Sequence, residues 1–185
     1  NSPSNPTGMV YRPQELERIA RVVVDRDIVC ISDEIYEKIV YGDTRHVSIA
    51  SFGPDIQART IIINGVSKSH AMTGWRIGYA AGPRDVIAAM TNLQDHSTSN
   101  ATSIAQRAAL EALTGSQESV ATMVAAFAER RDVIVRLING IPGMSCLTPE
   151  GAFYAWVDCT ALMARSFKGA SVGGSLRLAE LLLTE

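Results

Sequence analysis

Two cations eight residues apart carry the first chemical signal in this chain. In the run SKSHAMTGWRIGY, residues 67–79, Lys68 precedes Arg76 with no lysine or arginine between them, and the run follows the β-branched stretch at 60–63. A lysine amine condenses with an aldehyde, and a guanidinium offers a planar fork of donors to a phosphate dianion. The spacing therefore suits a phosphorylated aldehyde held covalently at one end and by its phosphate at the other. Solvated surface cations give the same spacing, so the reading leans on two further segments.

The first is NSPSNPTG at residues 1–8, and the second is SDEIYEKIVYG at 32–42. In the first, Asn5-Pro6 and Thr7-Gly8 form a turn signal in which proline fixes φ and glycine permits a positive one, so the Asn5 side chain is presented from a rigid backbone. An ordinary turn is the plainer alternative. In the second, a short apolar strand at 29–32, overlapping an apolar run at 28–31, ends at Asp33. Ligands of open α/β sheets bind beyond the carboxyl ends of strands. A carboxylate there can pair with a pyridine nitrogen, keep it protonated and make the ring an electron sink. Tyr36, three residues on, can direct its phenol to a ring oxygen. Asp33 also suits a helix N-cap.

Taken in order, Asn5, Asp33, Tyr36, Lys68 and Arg76 resemble the class I pyridoxal phosphate aminotransferases of fold type I. The likeness is greatest to the bacterial aspartate aminotransferase branch. The motifs that carry it are SPSNPTG (2–8), SDEIYE (32–37), NGVSK (64–68), MTGWRIGY (72–79), STSNATSIAQ (97–106) and PEGAFY (149–154). The resemblance covers the chain to about residue 158 and thins beyond it.

The resemblance implies that Lys68 carries pyridoxal 5'-phosphate through its amine, that Asp33 pairs with the pyridinium, that Tyr36 and Asn5 bond the ring oxygen, and that Arg76 holds the phosphate. Asn5 would also border the substrate. Relatives often have a serine three residues before the lysine as an added phosphate donor; Gly65 stands there, so Ser67 or a backbone amide is expected to substitute. His70 occupies a frequently aromatic place and is expected to pack, Trp75 to pack so as to hold Arg76, and Ala101 replaces a frequent proline without consequence. The implied activity is a ping-pong transamination between an L-amino acid, aspartate or glutamate, and a 2-oxo acid, with the freed Lys68 amine moving the α-proton. The stretch 96–100 reads as a loop capping the next helix. In relatives this neighbourhood lies at a dimer interface, so the resemblance implies a homodimer.

Composition agrees with an α/β protein. The chain has 185 residues, 46% hydrophobic, and a net charge of −2 with both signs interspersed, which indicates neither a nucleic-acid groove nor an acidic tail. No run approaches the roughly 20 apolar residues that span a bilayer. Cys30, Cys146 and Cys159 are odd in number and scattered, arguing against a disulfide framework and for a cytoplasmic setting. No metal site is expected.

The periodicities place a helix from Pro13, a strand at 77–81, helices at 86–93, 102–113 and 117–138, and a strand at 152–157. The expected fold is a three-layer, mostly parallel sheet of the fold type I large domain, plus the start of a small α/β C-terminal domain. Residues 1–114 belong to the former, 115–139 to a long interdomain helix and 140–185 to the latter. The chain begins within a motif and ends inside the amphipathic run 176–183, so it reads as the middle of a longer enzyme. Glu34 and Glu37 read as solvated or helix-terminal charges, and Lys38, Arg45 and Arg59 as surface charges. Two alternatives share the cofactor residues: another fold type I enzyme, such as a prephenate or alanine aminotransferase or a carbon–sulfur lyase, and an aminotransferase-like sensing domain of a transcriptional regulator.

Overall fold

The structure, a computed structural model, describes residues 1–184. Helix α1 (Pro13–Asp25) begins where proline pre-sets φ and where the Glu15 carboxylate accepts the Arg12 N–H at 2.7 Å. Leu16, Ala20 and Val23 recur on one face and pack with Ile49 and Ile56. At its end Asp27 turns to φ 51°, and the N–H groups of Asp27 and Ile28 bond back to the carbonyls of Val24 and Val23 at 3.1 and 3.0 Å. Ile28 is thus still tied to the helix. For that reason β1 (Cys30–Asp33) starts two residues later than the apolar run begins.

The crossover passes through a short α2 (Pro54–Gln57) into β2 (Thr60–Gly65), which pairs parallel with β1 from Cys30↔Thr60 to Asp33↔Ile63. β3 (Gly78–Ala81) lies antiparallel on the other side of β2, with Gly65 opposite Gly78. The described residues therefore supply one parallel pair and one antiparallel edge of the expected sheet. The carboxyl ends of β1 and β2 and the start of β3 meet at one end. A Cβ at Gly65 would come within 3.1 Å of the Gly78 Cα and 3.2 Å of the Ile35 Cδ1. Glycine is what lets the three segments close there, and this crowding accounts for the absence of a serine at that position.

Three helices follow: α3 (Arg84–Ser97), α4 (Ser103–Thr114) and the 22-residue α5 (Glu118–Asn139). Thr102 caps α4 by accepting the Ala105 N–H at 3.3 Å. The helices are of the expected kind, but α3 absorbs His96 and Ser97, so only the end of the polar stretch at 96–100 is loop.

Beyond α5 come the two-residue strands β4 (Ser145–Cys146) and β5 (Val157–Asp158), which pair antiparallel, then β6 (Ser166–Phe167) with β7 (Ala170–Ser171), and finally α6 (Ser175–Thr184). The strand expected over 152–157 is not formed except at Val157. Ala152 has φ 56°, its N–H donates to the Ile39 carbonyl at 2.9 Å, and the Ala152 carbonyl accepts the Tyr41 hydroxyl. Side-chain and backbone bonds hold this stretch as a turn folded onto residues 39–41.

Candidate active site

The first eight residues are clamped over the end of the sheet. The Asp33 carbonyl accepts the Ser2 N–H at 3.2 Å and the Asn1 side-chain amide at 3.3 Å, and the Asn5 N–H bonds Asn1 Oδ1 at 2.6 Å. At the far side, the Gly8 carbonyl accepts the N–H groups of Glu150 and Gly151 at 2.8 and 2.9 Å. Gly8 has φ +69°, and a Cβ there would lie 2.5 Å from the Pro149 Cβ, so no larger residue fits unless that contact shifts. The NPTG and PEGAFY motifs, more than 140 residues apart, thus form one rigid rim. The Asn5 side chain stands exposed on it, with no hydrogen bond to another described residue.

Asp33 sits where the sequence puts it, at the end of β1. One carboxylate oxygen accepts the Ile35 N–H at 3.1 Å, capping a turn and not the helix of the plainer alternative. Among the described residues the other oxygen has no partner, so the two roles share one side chain. Lys68, one of three lysines, lies in the turn after β2. Its amine makes no hydrogen bond or ion pair among the described residues and lies 5.8 Å from the centroid of the Phe153 ring.

That ring joins the predicted residues. Phe153 meets Tyr36 edge-on at 5.3 Å and stacks on Phe127 of α5 at 5.2 Å. Tyr36 is 3% exposed, and its hydroxyl is hydrogen-bonded to that of Tyr154. Burial pushes the Tyr36 phenol far above the ordinary tyrosine range, so it keeps its proton at any working pH. Burial likewise pushes Tyr41 up to about 12. Phe127, Phe153 and Tyr154 were missed as site residues. The signal was the aromatic pair inside PEGAFY, but nothing in the linear sequence says that this pair folds back on Tyr36.

Arg76 adopts a left-handed backbone (φ 52°, ψ 49°) at the end of the 3-10 turn Thr73–Trp75, two residues before β3. Its Nη1 donates to the Thr73 carbonyl at 2.9 Å, and the rest of the exposed fork opens on a cleft of about 800 Å³ shared with Gln94, Thr98, Asn100 and Thr102. Arg76 and Lys68 flank the Gly65↔Gly78 pair. Trp75 is 46% exposed and lines the same cleft instead of packing inside. Ser67 is partly buried and makes no hydrogen bond among the described residues. The neighbouring Ser69 hydroxyl bonds the Gly65 carbonyl at 3.4 Å and His70 Nδ1 at 2.8 Å, while His70 Nε2 reaches Gln117 Oε1 at 3.3 Å. His70 therefore tethers the Lys68 turn to the start of α5 by a polar contact.

Glu34 corrects the expectation of a solvated charge. It is 4% exposed and accepts hydrogen bonds from Ser32 Oγ (2.9 Å) and Ser48 Oγ (2.6 Å), with His46 Nε2 at 3.2 Å. Burial alone would raise its pKa, but the hydrogen bonds from His46, Ser48 and Ser32 outweigh it and hold the carboxyl below its ordinary value. Short serines at 32 and 48 gave no sequence signal for this network.

An uncommitted amine, a half-free carboxylate, a buried phenol and an open guanidinium fork now stand around one sheet end. The model of the family "Aminotransferase class I and II" matches residues 1–185. The chain belongs to this family. It is 57% identical over 154 residues to an aspartate aminotransferase of Geobacillus stearothermophilus, covering 83% of this chain and 39% of that protein. To an aspartate aminotransferase of Bacillus sp. (strain YM-2) it is 51% identical over 185 residues, covering 100% of this chain and 46% of the relative. The crystal structure of the aspartate aminotransferase from Rhizobium meliloti superimposes with a TM-score of 0.96 at 38% identity, over 100% of this chain and 47% of that one. The chain thus spans less than half the length of each of these relatives. Its fold is that of the family, with the α/β sheet that the motifs implied. Among the described residues no helix is long and apolar enough to cross a membrane.

Proposed function

We propose that this chain forms the cofactor-anchoring part of a pyridoxal phosphate-dependent transaminase that moves an amino group between aspartate or glutamate and a 2-oxo acid by a ping-pong route. The observation that supports it most is the set of unspent polar groups at the sheet end: the Lys68 amine, the second Asp33 oxygen and the outer Arg76 fork. Their chemistry fits the cofactor, which calls for an amine at its aldehyde, an anion at its ring nitrogen and a cation at its phosphate. When bound, pyridoxal phosphate supplies a carbonyl for the amine and a ring that takes up electrons from the substrate α-carbon.

The chain's own residues have divisible roles. Lys68 Nζ would hold the cofactor and, once freed by substrate, would take the substrate α-proton as base and give it up as acid to the carbon that was the cofactor's aldehyde carbon. Asp33 keeps the ring nitrogen protonated by ion pairing. Tyr36, still carrying its proton, donates to the ring oxygen, with Asn5 beside it and bordering the substrate. Arg76 binds the phosphate, with Ser67 or a backbone amide as an added donor. Phe153, with Phe127 and Tyr36 packed against it, gives the Lys68 amine an apolar face on one side.

The exposed cleft that joins Arg76 to Thr98 and Asn100 supports a homodimer in which a second copy closes the site. The domain reading is likewise kept: 1–114 in the large domain, 115–139 the connecting helix, 140–185 the start of a small domain. The unpaired Cys30, Cys146 and Cys159 suit a cytoplasmic setting. The test is to incubate the full-length protein with pyridoxal phosphate, aspartate and 2-oxoglutarate and follow oxaloacetate. Formation that is lost in Lys68→Ala supports the reading, and no oxaloacetate from the unaltered protein contradicts the aspartate assignment.

A further inference from the structure

Tyr36 and Tyr154 come from segments 118 residues apart, yet their hydroxyls are hydrogen-bonded and their rings meet edge-on at 5.6 Å. A phenol has one O–H to give and lone pairs to receive. If Tyr36 gave its proton to Tyr154, it would have none for a ligand. The ring of Tyr36 is fixed by burial against Ile39, Tyr41 and Ala152, and by Phe153 on its edge, so its oxygen cannot swing to a new partner. Tyr154 is held as firmly, since its turn is pinned by the Ala152 N–H to the Ile39 carbonyl. Two fixed phenols in contact leave one free variable, the direction of donation.

We infer that Tyr154 is a positioning residue: its O–H donates to the Tyr36 oxygen, which commits the Tyr36 proton to the ring oxygen of the bound cofactor. This rests on the function proposed above and extends it to a residue that acts through Tyr36. Donation into Tyr36 also polarises its O–H, making it a better donor than an isolated phenol. Asp33 is the charged group acting on Tyr36, and Tyr154 is the other titratable group in contact with it.

The variant is Tyr154→Phe, which removes one oxygen and keeps the ring and its packing. In the full-length protein loaded with pyridoxal phosphate, the readout is the pH midpoint of the visible band given by the Lys68 linkage. Donation to the ring oxygen favours the deprotonated linkage, so weakening it moves the midpoint up. The expected shift is about 0.5 to 1 pH unit, the size of one neutral hydrogen bond. The same substitution in a Tyr36→Phe background is expected to shift nothing further, because the effect runs through Tyr36. A midpoint unmoved by Tyr154→Phe, or moved equally without Tyr36, overturns the inference. A band whose midpoint ignores Tyr154 leaves the transaminase reading standing, whereas no band in the unaltered protein overturns both. A thermal melt of Tyr154→Phe within 2 °C or so of the parent excludes a merely structural origin of the shift.

Discussion

The Glu34 carboxylate is buried and receives hydrogen bonds from two serines with a histidine alongside, whereas that of Asp33, one residue earlier, accepts a single backbone N–H and keeps an oxygen open. The same contrast separates the two surroundings as a whole. Around Glu34 the partners come from within the chain, and although Glu37 and His46 bring further metal-type ligand atoms within 4.8 Å, the carboxylate already accepts hydrogen bonds from two serine hydroxyls. Around Asp33 the Lys68 amine and the Arg76 fork stay uncommitted. Folding holds the first set together; the second set is aligned by folding but left for something else to complete. Charged groups left open and gathered at one sheet end are the kind of arrangement that a ligand site uses.

Changing the open groups should cost activity with little loss of stability, and changing the satisfied ones should do the reverse. The largest effect is expected from Lys68→Ala, which lowers the turnover of the full-length protein by about 10⁴-fold or more while the melting curve stays put. Steady-state oxaloacetate formation and a thermal melt check both halves. Asp33→Ala should come next, with a rate lower by about 10² to 10³-fold, the size of one lost electrostatic stabiliser. A rate unchanged by that substitution would mean the ring nitrogen is stabilised by another group, and the contrast with Glu34 would collapse.

On the structural side, Gly8→Ala forces a side chain into a left-handed backbone and against Pro149. A loss of about 2 kcal/mol or more in urea unfolding is expected. Glu34→Gln should cost about 1–3 kcal/mol, since it removes the charge that three donors address, and should leave the turnover of the folded protein near the parent value. The pH dependence has a definite sign. Because the folded state holds the Glu34 carboxyl below its ordinary 4.5, the unfolded chain binds that proton more readily. The stabilisation is therefore complete above the ordinary carboxylate range and fades as pH falls through the lower folded value. Unfolding midpoints of parent and Glu34→Gln should converge on acidification; a gap that widens would refute the assignment.

The difference between the two surroundings also shows which parts of the site were legible beforehand. Lys68, Asp33 and Arg76 were readable because each follows a strand or loop signal at a fixed spacing, and their placement at one sheet end follows from the parallel pairing of β1 and β2. Helix α1 was readable from Pro13 and the spacing of Leu16, Ala20 and Val23. The start of β1 was displaced because the helix-terminating turn consumes Ile28, a hydrogen-bond effect that apolar pattern does not encode. Contacts between distant segments were beyond reach: Gly8 on Pro149 and Tyr36 on Tyr154, each pair more than a hundred residues apart, and Phe153 under Lys68 depend on how those segments close. Glu34 was misread for a more local reason: its partners Ser32, His46 and Ser48 are near in sequence but look like ordinary surface residues until the crossover folds.

The measurement that bears most directly on the central claim is borohydride reduction of the full-length protein loaded with pyridoxal phosphate, followed by peptide mass mapping. The account predicts a phosphopyridoxyl group on the peptide carrying Lys68, at about one per chain, and none there in Lys68→Ala. Label confined to another lysine, with Lys68 unmodified, would contradict it.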